Sequence, residues 1–149
     1  IVNIMPDETR RSQRPAIKPE KLYQLYASDA GSRASVLVQV IAEQEEGWCP
    51  FAGDEMEGWF ENNANKSVLP IWPTEEAAND FIQAQNAGWE PVPIPIIDWI
   101  DDVLPVLDRQ AYLLALFPTG TAEVTLKQPD EVLDMIVYEW GKYAKSIAR

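Results

Sequence analysis

Proline occupies every second position from residue 91 to residue 95, within the stretch EPVPIPII. In an extended strand, alternate residues direct their N–H groups to the same edge, and proline has no N–H group to donate. One edge of this segment is therefore unable to pair, whereas Val92, Ile94 and Ile96 can pair along the other edge. The pattern predicts an edge strand that resists further pairing, and a polyproline II segment is the alternative.

The chain has 149 residues, of which 46% are apolar. This size and composition fit one domain with a single sizeable core. No apolar run approaches the roughly 20 residues that a membrane-spanning helix needs. The single cysteine, Cys49, allows no internal disulfide and is compatible with a reducing cytosol. We therefore expect a cytoplasmic protein that does not contact a membrane.

The sequence contains no histidine. This excludes Ser-His-Asp and Cys-His arrangements, His-ligated zinc or iron, and a histidine general base. The glycines match neither a Walker-type loop nor a dinucleotide fingerprint, so no cofactor is predicted. Cys49 has no histidine to activate it and is expected to be buried or half-buried on a strand.

The formal net charge of −12 is unevenly spread. Residues 1–33 carry six basic and four acidic side chains, whereas the rest of the chain carries six basic and 20 acidic ones. An acidic body repels phosphate backbones, which argues against nucleic-acid binding by that body.

Residues 1–17 show no apolar periodicity and contain two prolines among many polar side chains. They are predicted to form an extended basic N-terminal arm, ahead of a single domain over residues 18–149. The arm carries Arg10, Arg11 and Arg14, which could contact RNA, a partner protein or the acidic body of the same chain. A solvated tail is the simplest interpretation of such a segment.

Apolar residues at helical spacing predict five helices. Pro19 opens the first, the second runs from Ser32 to about Glu45, and Thr74 caps the third. The fourth covers IDWIDDVLPVLDRQ and the fifth runs from Pro129 to about Ala148.

Side-chain orientations in the last two helices follow from the same spacing. In the fourth helix, where Pro105 should bend or break the chain, the inward residues are expected to be Ile97, Ile100, Val103, Leu104 and Leu107. In the fifth helix, the buried stripe is expected to be Val132, Ile136, Trp140, Tyr143 and Ile147.

Short runs of β-type residues predict the strands. GWCPFA, EGWFE and KSVLPIWP, separated by an acidic and an Asn-rich turn, predict a three-stranded meander. AYLLALFP is a near-continuous apolar run typical of a central strand, and a TGT turn leads from it to AEVTLK. The predicted fold class is α+β, a single domain whose mixed, mostly antiparallel sheet of about five to six strands packs with about five helices.

Two acidic stretches are candidate metal sites. Asp98, Asp101 and Asp102 share one helix face and could hold Mg²⁺ or Ca²⁺ or act as paired carboxylates. A solvated outer face is the favoured interpretation, because no second set of ligands is visible in the sequence. GDEMEG lacks the spacing of a calcium loop and is interpreted as a hairpin turn.

Six tryptophans form the third group of candidate residues. Tryptophan dominates the energetic centres of protein interfaces, although core packing is the more common role for any one of them. Trp72 and Trp89 bracket the third helix at the ends of strands, so they are the best candidates for protein binding, together with Arg10, Arg11 and Arg14 of the arm.

The order of motifs resembles a bacterial family known only as domain of unknown function 2750. The resemblance covers roughly residues 33–143 and rests most specifically on VLPIWP and LALFPT. It implies a short helix, strands marked by W and GW, an acidic helix after VLPIWP, and a final hairpin and helix. The aromatic-Pro ending of a strand before an acidic helix is more distantly similar to SseB-type accessory domains. Neither resemblance implies catalytic residues.

The leading functional hypothesis is a small, soluble, non-enzymatic module that binds another protein, such as an accessory, inhibitor or immunity-type protein. Two alternatives stay open. The first is a carboxylate- or metal-dependent hydrolase, which needs the DWIDD carboxylates to converge with Glu55 and Glu57. The second is a structural subunit of a larger assembly that docks through its N-terminal arm.

Overall fold

The computed structural model describes residues 17–57, 60–61, 66–85, 88–121 and 123–147, with the backbone alone for residues 60–61. Residues 1–16 of the predicted arm, with Arg10, Arg11 and Arg14, lie outside the described residues, as does Trp59.

Five helices form in the described chain, which confirms the helical part of the α+β prediction. The fourth, α4, opens as Ile96–Asp98, widens into the π-helical turn Trp99–Val103 and continues as Leu104–Arg109. The other four are α1 (Pro19–Tyr26), α2 (Ala30–Gln44), α3 (Glu75–Gln85) and α5 (Pro129–Ile147). None of these described helices is both long and apolar enough to cross a bilayer.

Side-chain caps fix two of the helix starts. The Ala77 N–H donates to Thr74 Oγ1 over 3.2 Å, as predicted for the start of α3. The Asp29 carboxylate accepts from the Ser32 N–H over 2.8 Å, so α2 begins at Ala30, two residues before the predicted start. Hydrogen bonding of the carboxylate to Ser32 also holds the pKa of Asp29 below its ordinary value.

The π-helical turn of α4 lies immediately before Pro105, where a bend was predicted. Proline has no N–H group, and its ring clashes with the carbonyl four residues earlier in a regular α-helix. Here the Leu104 N–H donates to the carbonyl of Trp99, five residues back, which inserts one extra residue into the turn. The prediction for Ile97 was wrong: its side chain is 42% exposed, whereas Ile96 and Trp99 are fully buried.

Seven strands in the described residues form two small sheets. The first has the order β2-β1-β5 and is antiparallel; the second has the order β3-β4-β6-β7, in which only β4 and β6 run parallel. Their bounds are β1 Glu46–Ala52, β2 Glu55–Met56, β3 Phe60–Glu61, β4 Ser67–Ile71, β5 Glu90–Pro95, β6 Leu113–Leu116 and β7 Thr125–Lys127. The predicted edge position of the proline-rich strand β5 and the central position of β6 are both confirmed.

The predicted meander is divided between the two sheets. β1 and β2 form one hairpin around Gly53, whose φ of +65° suits glycine. β3 and β4 form a second hairpin in the other sheet. The sheets are joined by an isolated bridge in which Trp48 and Trp72 exchange backbone N–H···O hydrogen bonds of 2.9 and 2.8 Å.

Both sheets and all five helices contribute to one hydrophobic core. Gly47 lies close against it: a Cβ atom there would lie 3.0 Å from Ile41 Cδ1 and 3.1 Å from Trp99 Nε1, so a larger residue would require these side chains to shift. In α5, Val132 and Ile136 are buried as predicted, but Ile147 is 65% exposed and does not belong to the buried stripe.

The neighbours Ile96 and Ile97 provide a matched test of this packing. Ile96→Ala should lower the free energy of unfolding by about 2–5 kcal/mol, because it removes buried methyl groups and leaves a cavity. Ile97→Ala should lower it by less than about 1 kcal/mol, because that side chain is partly in solvent. Urea denaturation followed by tryptophan fluorescence measures both, and a larger loss for Ile97→Ala would contradict the described α4.

Candidate functional site

Two loops meet beyond the carboxyl ends of the parallel strands β4 and β6. Ile71 pairs with Leu116 in the register of these strands, and the Phe117 N–H donates to the Ile71 carbonyl over 2.9 Å. The chain then leaves β4 towards α3 and leaves β6 through residues 118–121. The carboxyl ends of parallel strands are where open α/β sheets place their ligand crevices. The same place is therefore a candidate position for a binding site in this fold.

Trp72, which follows β4, contacts both the loop after β6 and helix α3. Its indole Nε1–H donates to the Pro118 carbonyl over 2.9 Å, and its ring packs against Phe81 with centroids 5.6 Å apart. The side chain is fully buried, so it offers no surface to a partner. This corrects the expectation that Trp72 binds protein directly: it positions the residues around it.

Phe117 has a left-handed backbone conformation, with φ of +56°. For a residue other than glycine this costs about 1–3 kcal/mol and persists only where neighbouring contacts fix it. The Phe117 ring is fully buried and meets Tyr26 edge-on at 6.2 Å. Its carbonyl accepts a hydrogen bond of 3.2 Å from Arg33 Nε. These contacts, with the bond to Ile71, set the direction in which residues 118–121 leave the sheet.

Arg33 is a cation inside the protein, with 1% of its surface exposed. Its guanidinium donates to three backbone carbonyls, those of Phe117, Ser28 and Glu123. Ser28 follows α1, and the other two flank residues 118–121. One side chain therefore fixes the end of α1 relative to the loop after β6.

Between these elements lies a half-open cleft of about 240 Å³, which we call the Asp80 cleft. Its walls are Tyr26 of α1, residues 118–121, and the α3 residues Ala77, Asp80, Phe81 and Ala84. Most of the lining surface is apolar. Such a combination, an apolar concavity with a few polar groups, is typical of binding sites.

Tyr26 and Asp80 are the polar pair of this cleft. The Tyr26 hydroxyl donates to Asp80 Oδ2 over 2.8 Å. Partial burial, followed by the hydrogen bond to Asp80 and its negative charge, raises the pKa of the Tyr26 hydroxyl well above its ordinary value. The phenol therefore stays protonated and acts as a donor that orients the carboxylate. Among the residues of the loop after β6 that line the cleft, Thr119 Oγ1 lies 3.3 Å from Thr121 Oγ1.

The predicted acidic candidates do not form a comparable site. Asp101 and Asp102 are exposed and Asp98 is half-buried. Among the residues that the structure describes, no group of three or more Asp, Glu or Cys side chains could hold a metal ion. The convergence that the hydrolase hypothesis requires is thus not found in this part of the chain.

Cys49 and Trp89 complete the set of candidates from the sequence. Cys49 is fully buried in β1, as expected, and burial raises the pKa of its thiol well above the ordinary value. Trp89 is half-buried and packs against the edge of the core. Its role in protein binding stays a prediction.

The family model described as "Protein of unknown function (DUF2750)" matches residues 34–136. The chain belongs to the DUF2750 family. Comparisons with curated proteins and with solved structures found no match. The more distant similarity to SseB-type domains has no support from these comparisons.

The DUF2750 match contains most of the Asp80 cleft. Asp80, Phe81 and residues 118–121 lie inside the matched range, whereas Tyr26 and Arg33 precede it. The two motifs that carry the resemblance, VLPIWP and LALFPT, meet at the bond from Trp72 to Pro118.

Four polar residues in or beside the Asp80 cleft, Arg33, Tyr26, Asp80 and Thr119, were not predicted as functional from the sequence. Tyr26 and Asp80 are 54 residues apart, and no spacing rule connects them. The sequence shows Arg33 only as one of the six basic residues in positions 1–33, and nothing in that count indicates that it is buried. The available signal was LALFPT itself, since an aromatic-Pro-Thr run directly after a central strand places a loop at the sheet end.

The Arg33 contacts generate a stability prediction. Arg33→Met should lower the free energy of unfolding by at least about 2 kcal/mol, because the Phe117, Ser28 and Glu123 carbonyls lose their charged donor. Arg109→Met is the matched control: Arg109 is exposed at the end of α4, and its replacement should cost less than about 1 kcal/mol. Equal losses in urea denaturation would show that the guanidinium does not hold the loops.

Proposed function

We propose that this protein is a small binding module that captures a segment of another protein in the Asp80 cleft. The observation that carries the proposal is the half-open apolar cleft with an oriented carboxylate at the carboxyl ends of β4 and β6. Trp72 and Arg33 hold the loop after β6 through hydrogen bonds to the Pro118 and Phe117 carbonyls. Because this wall of the cleft is already ordered, the protein loses little conformational entropy when a partner binds.

The size of the cleft favours a protein segment over a small-molecule substrate. Its volume of about 240 Å³ is below the roughly 300–1,000 Å³ of pockets that enclose drug-sized ligands. A cleft of this size suits one anchoring side chain, the unit through which protein interfaces gain most of their affinity. The rest of the partner segment would lie across the mouth of the cleft.

Charge and chemistry support a non-enzymatic role. The sequence has no histidine, and its one thiol is buried. The acidic body would attract a basic partner and speed association. An accessory, inhibitor or immunity-type protein of the cytoplasm fits this combination. The basic arm, if it docks on a larger assembly, would add a second contact, but no described residue bears on it.

A peptide display selection tests the proposal. The full chain and its Ala84→Trp variant are each used to select from a random peptide library. Ala84 is an exposed residue of α3 that lines the cleft, so an indole there should fill the space that the partner needs. We expect the peptides enriched by the natural chain to lose at least about tenfold in affinity for Ala84→Trp, about 1.4 kcal/mol.

Ala144→Trp is the control variant, because Ala144 is exposed on α5 and does not line the cleft. It should enrich the same peptides as the natural chain. Both variants are checked for an unchanged melting temperature before selection. Peptides that bind the natural chain and Ala84→Trp equally well would place the binding surface elsewhere and defeat the proposal.

A further inference from the structure

We infer that the side chain which enters the Asp80 cleft is an arginine of the partner protein. This rests on the proposed function and adds the chemistry of the anchor. Three properties of the cleft support it: the apolar walls, the oriented Asp80 carboxylate, and the aromatic rings and hydroxyl groups around that carboxylate.

The walls suit the methylene part of a long side chain. Ala77, Phe81 and Ala84 present apolar surface from successive turns of α3, and Pro118 faces the same space. Long cationic side chains bury their methylene groups along such surfaces and keep the charged head at the polar end. An apolar wall with one carboxylate therefore fits an amphipathic side chain better than a wholly apolar one.

Asp80 provides the partner for the charged head. Its exposed carboxylate lines the cleft, and Oδ2 accepts a hydrogen bond from the Tyr26 hydroxyl. Within the part of the chain that the structure describes, no lysine or arginine forms an ion pair with Asp80. Glu76, one turn earlier on α3, adds to the negative potential around Tyr26. An uncharged side chain in the cleft would displace water from the Asp80 carboxylate without giving the carboxylate a charged partner in return, which is unfavourable.

Arginine fits these surroundings better than lysine. The planar guanidinium stacks on aromatic rings and donates up to five hydrogen bonds in a fixed plane. The cleft offers the rings of Tyr26 and Phe81, the Asp80 carboxylate, and the hydroxyl oxygens of Thr119 and Thr121. A lysine ammonium could pair with Asp80 but has no plane to stack on the rings.

The source of this arginine is taken to be another protein. The chain after residue 33 carries six basic and 20 acidic residues. Its net negative charge attracts a basic segment of a partner protein electrostatically. The arginines of the arm, at positions 10, 11 and 14, are the competing source, and the experiment separates the two.

The experiment titrates ¹⁵N-labelled full chain with four acetylated, amidated tripeptides, Gly-X-Gly, where X is arginine, lysine, citrulline or norleucine. We expect the arginine peptide to shift the amide signals of residues 77–84 and 118–121. It should bind at least about tenfold more tightly than the citrulline peptide, which has the same shape without the charge.

Asp80→Asn removes the charge but keeps an oxygen for the Tyr26 hydroxyl. In this variant the arginine peptide should bind no more tightly than the citrulline peptide does to the natural chain. Asp108→Asn, an exposed position on α4, changes the net charge equally and should leave the arginine affinity within about twofold.

The other outcomes would overturn the arginine anchor, the choice of arginine over lysine, the proposed function or the external source, as follows. If citrulline or norleucine binds the same residues as tightly as arginine, the cleft is a binding site but the arginine anchor is wrong. Equal binding of lysine overturns the choice of arginine. If no peptide shifts these residues and the display selection also fails, the proposed function falls as well. If Arg10→Gln, Arg11→Gln and Arg14→Gln together raise the arginine affinity more than threefold, the arm fills the cleft and the external source is wrong.

Discussion

The pair of backbone hydrogen bonds between Trp48 and Trp72 is the constraint on which the rest of the structure depends. It joins two sheets that are each too small to enclose a core alone. Because the bridge fixes the backbone of Trp72 at the end of β4, the indole is directed under the loop after β6, where it reaches the Pro118 carbonyl. Trp72 therefore links the contact between the two sheets to Pro118, a wall residue of the cleft.

Arg33 and Phe117 complete that arrangement from the other side. A buried guanidinium bound to three carbonyls is costly to remove from water, and a left-handed Phe117 is unfavourable by itself. The hydrogen bonds of Arg33 and the packing of Phe117 on Tyr26 offset these two costs, and the same contacts hold residues 118–121 against α1. Unfavourable conformations of this kind cluster at functional sites, where they fix geometry before a ligand arrives. We propose the function here because this fixed geometry borders a half-open apolar cleft with an oriented carboxylate, which the carboxylates of α4 do not line.

The sequence predicted what depends on local chemistry. Alternating prolines identified the edge strand β5, and Thr74 identified the start of α3. Predictions failed where distant residues decide the outcome. The π-helical turn added one residue before Pro105, so Ile96 faces the core and Ile97 faces solvent. Trp72 looked available for binding because it follows a strand, yet the other sheet and the loop after β6 cover it. The Tyr26–Asp80 hydrogen bond joins residues on two helices that are far apart in the sequence, so no local spacing pattern predicts it.

A crystal structure of the full chain with the acetylated Gly-Arg-Gly amide is the most direct test of the cleft as a binding site. We expect the arginine methylene groups to lie on Phe81, and a guanidinium nitrogen to lie about 2.7–2.9 Å from an Asp80 oxygen, the usual length for a charged pair. The Tyr26 hydroxyl should keep its bond to the same carboxylate. A peptide bound on another surface, with the cleft unchanged, would contradict this assignment.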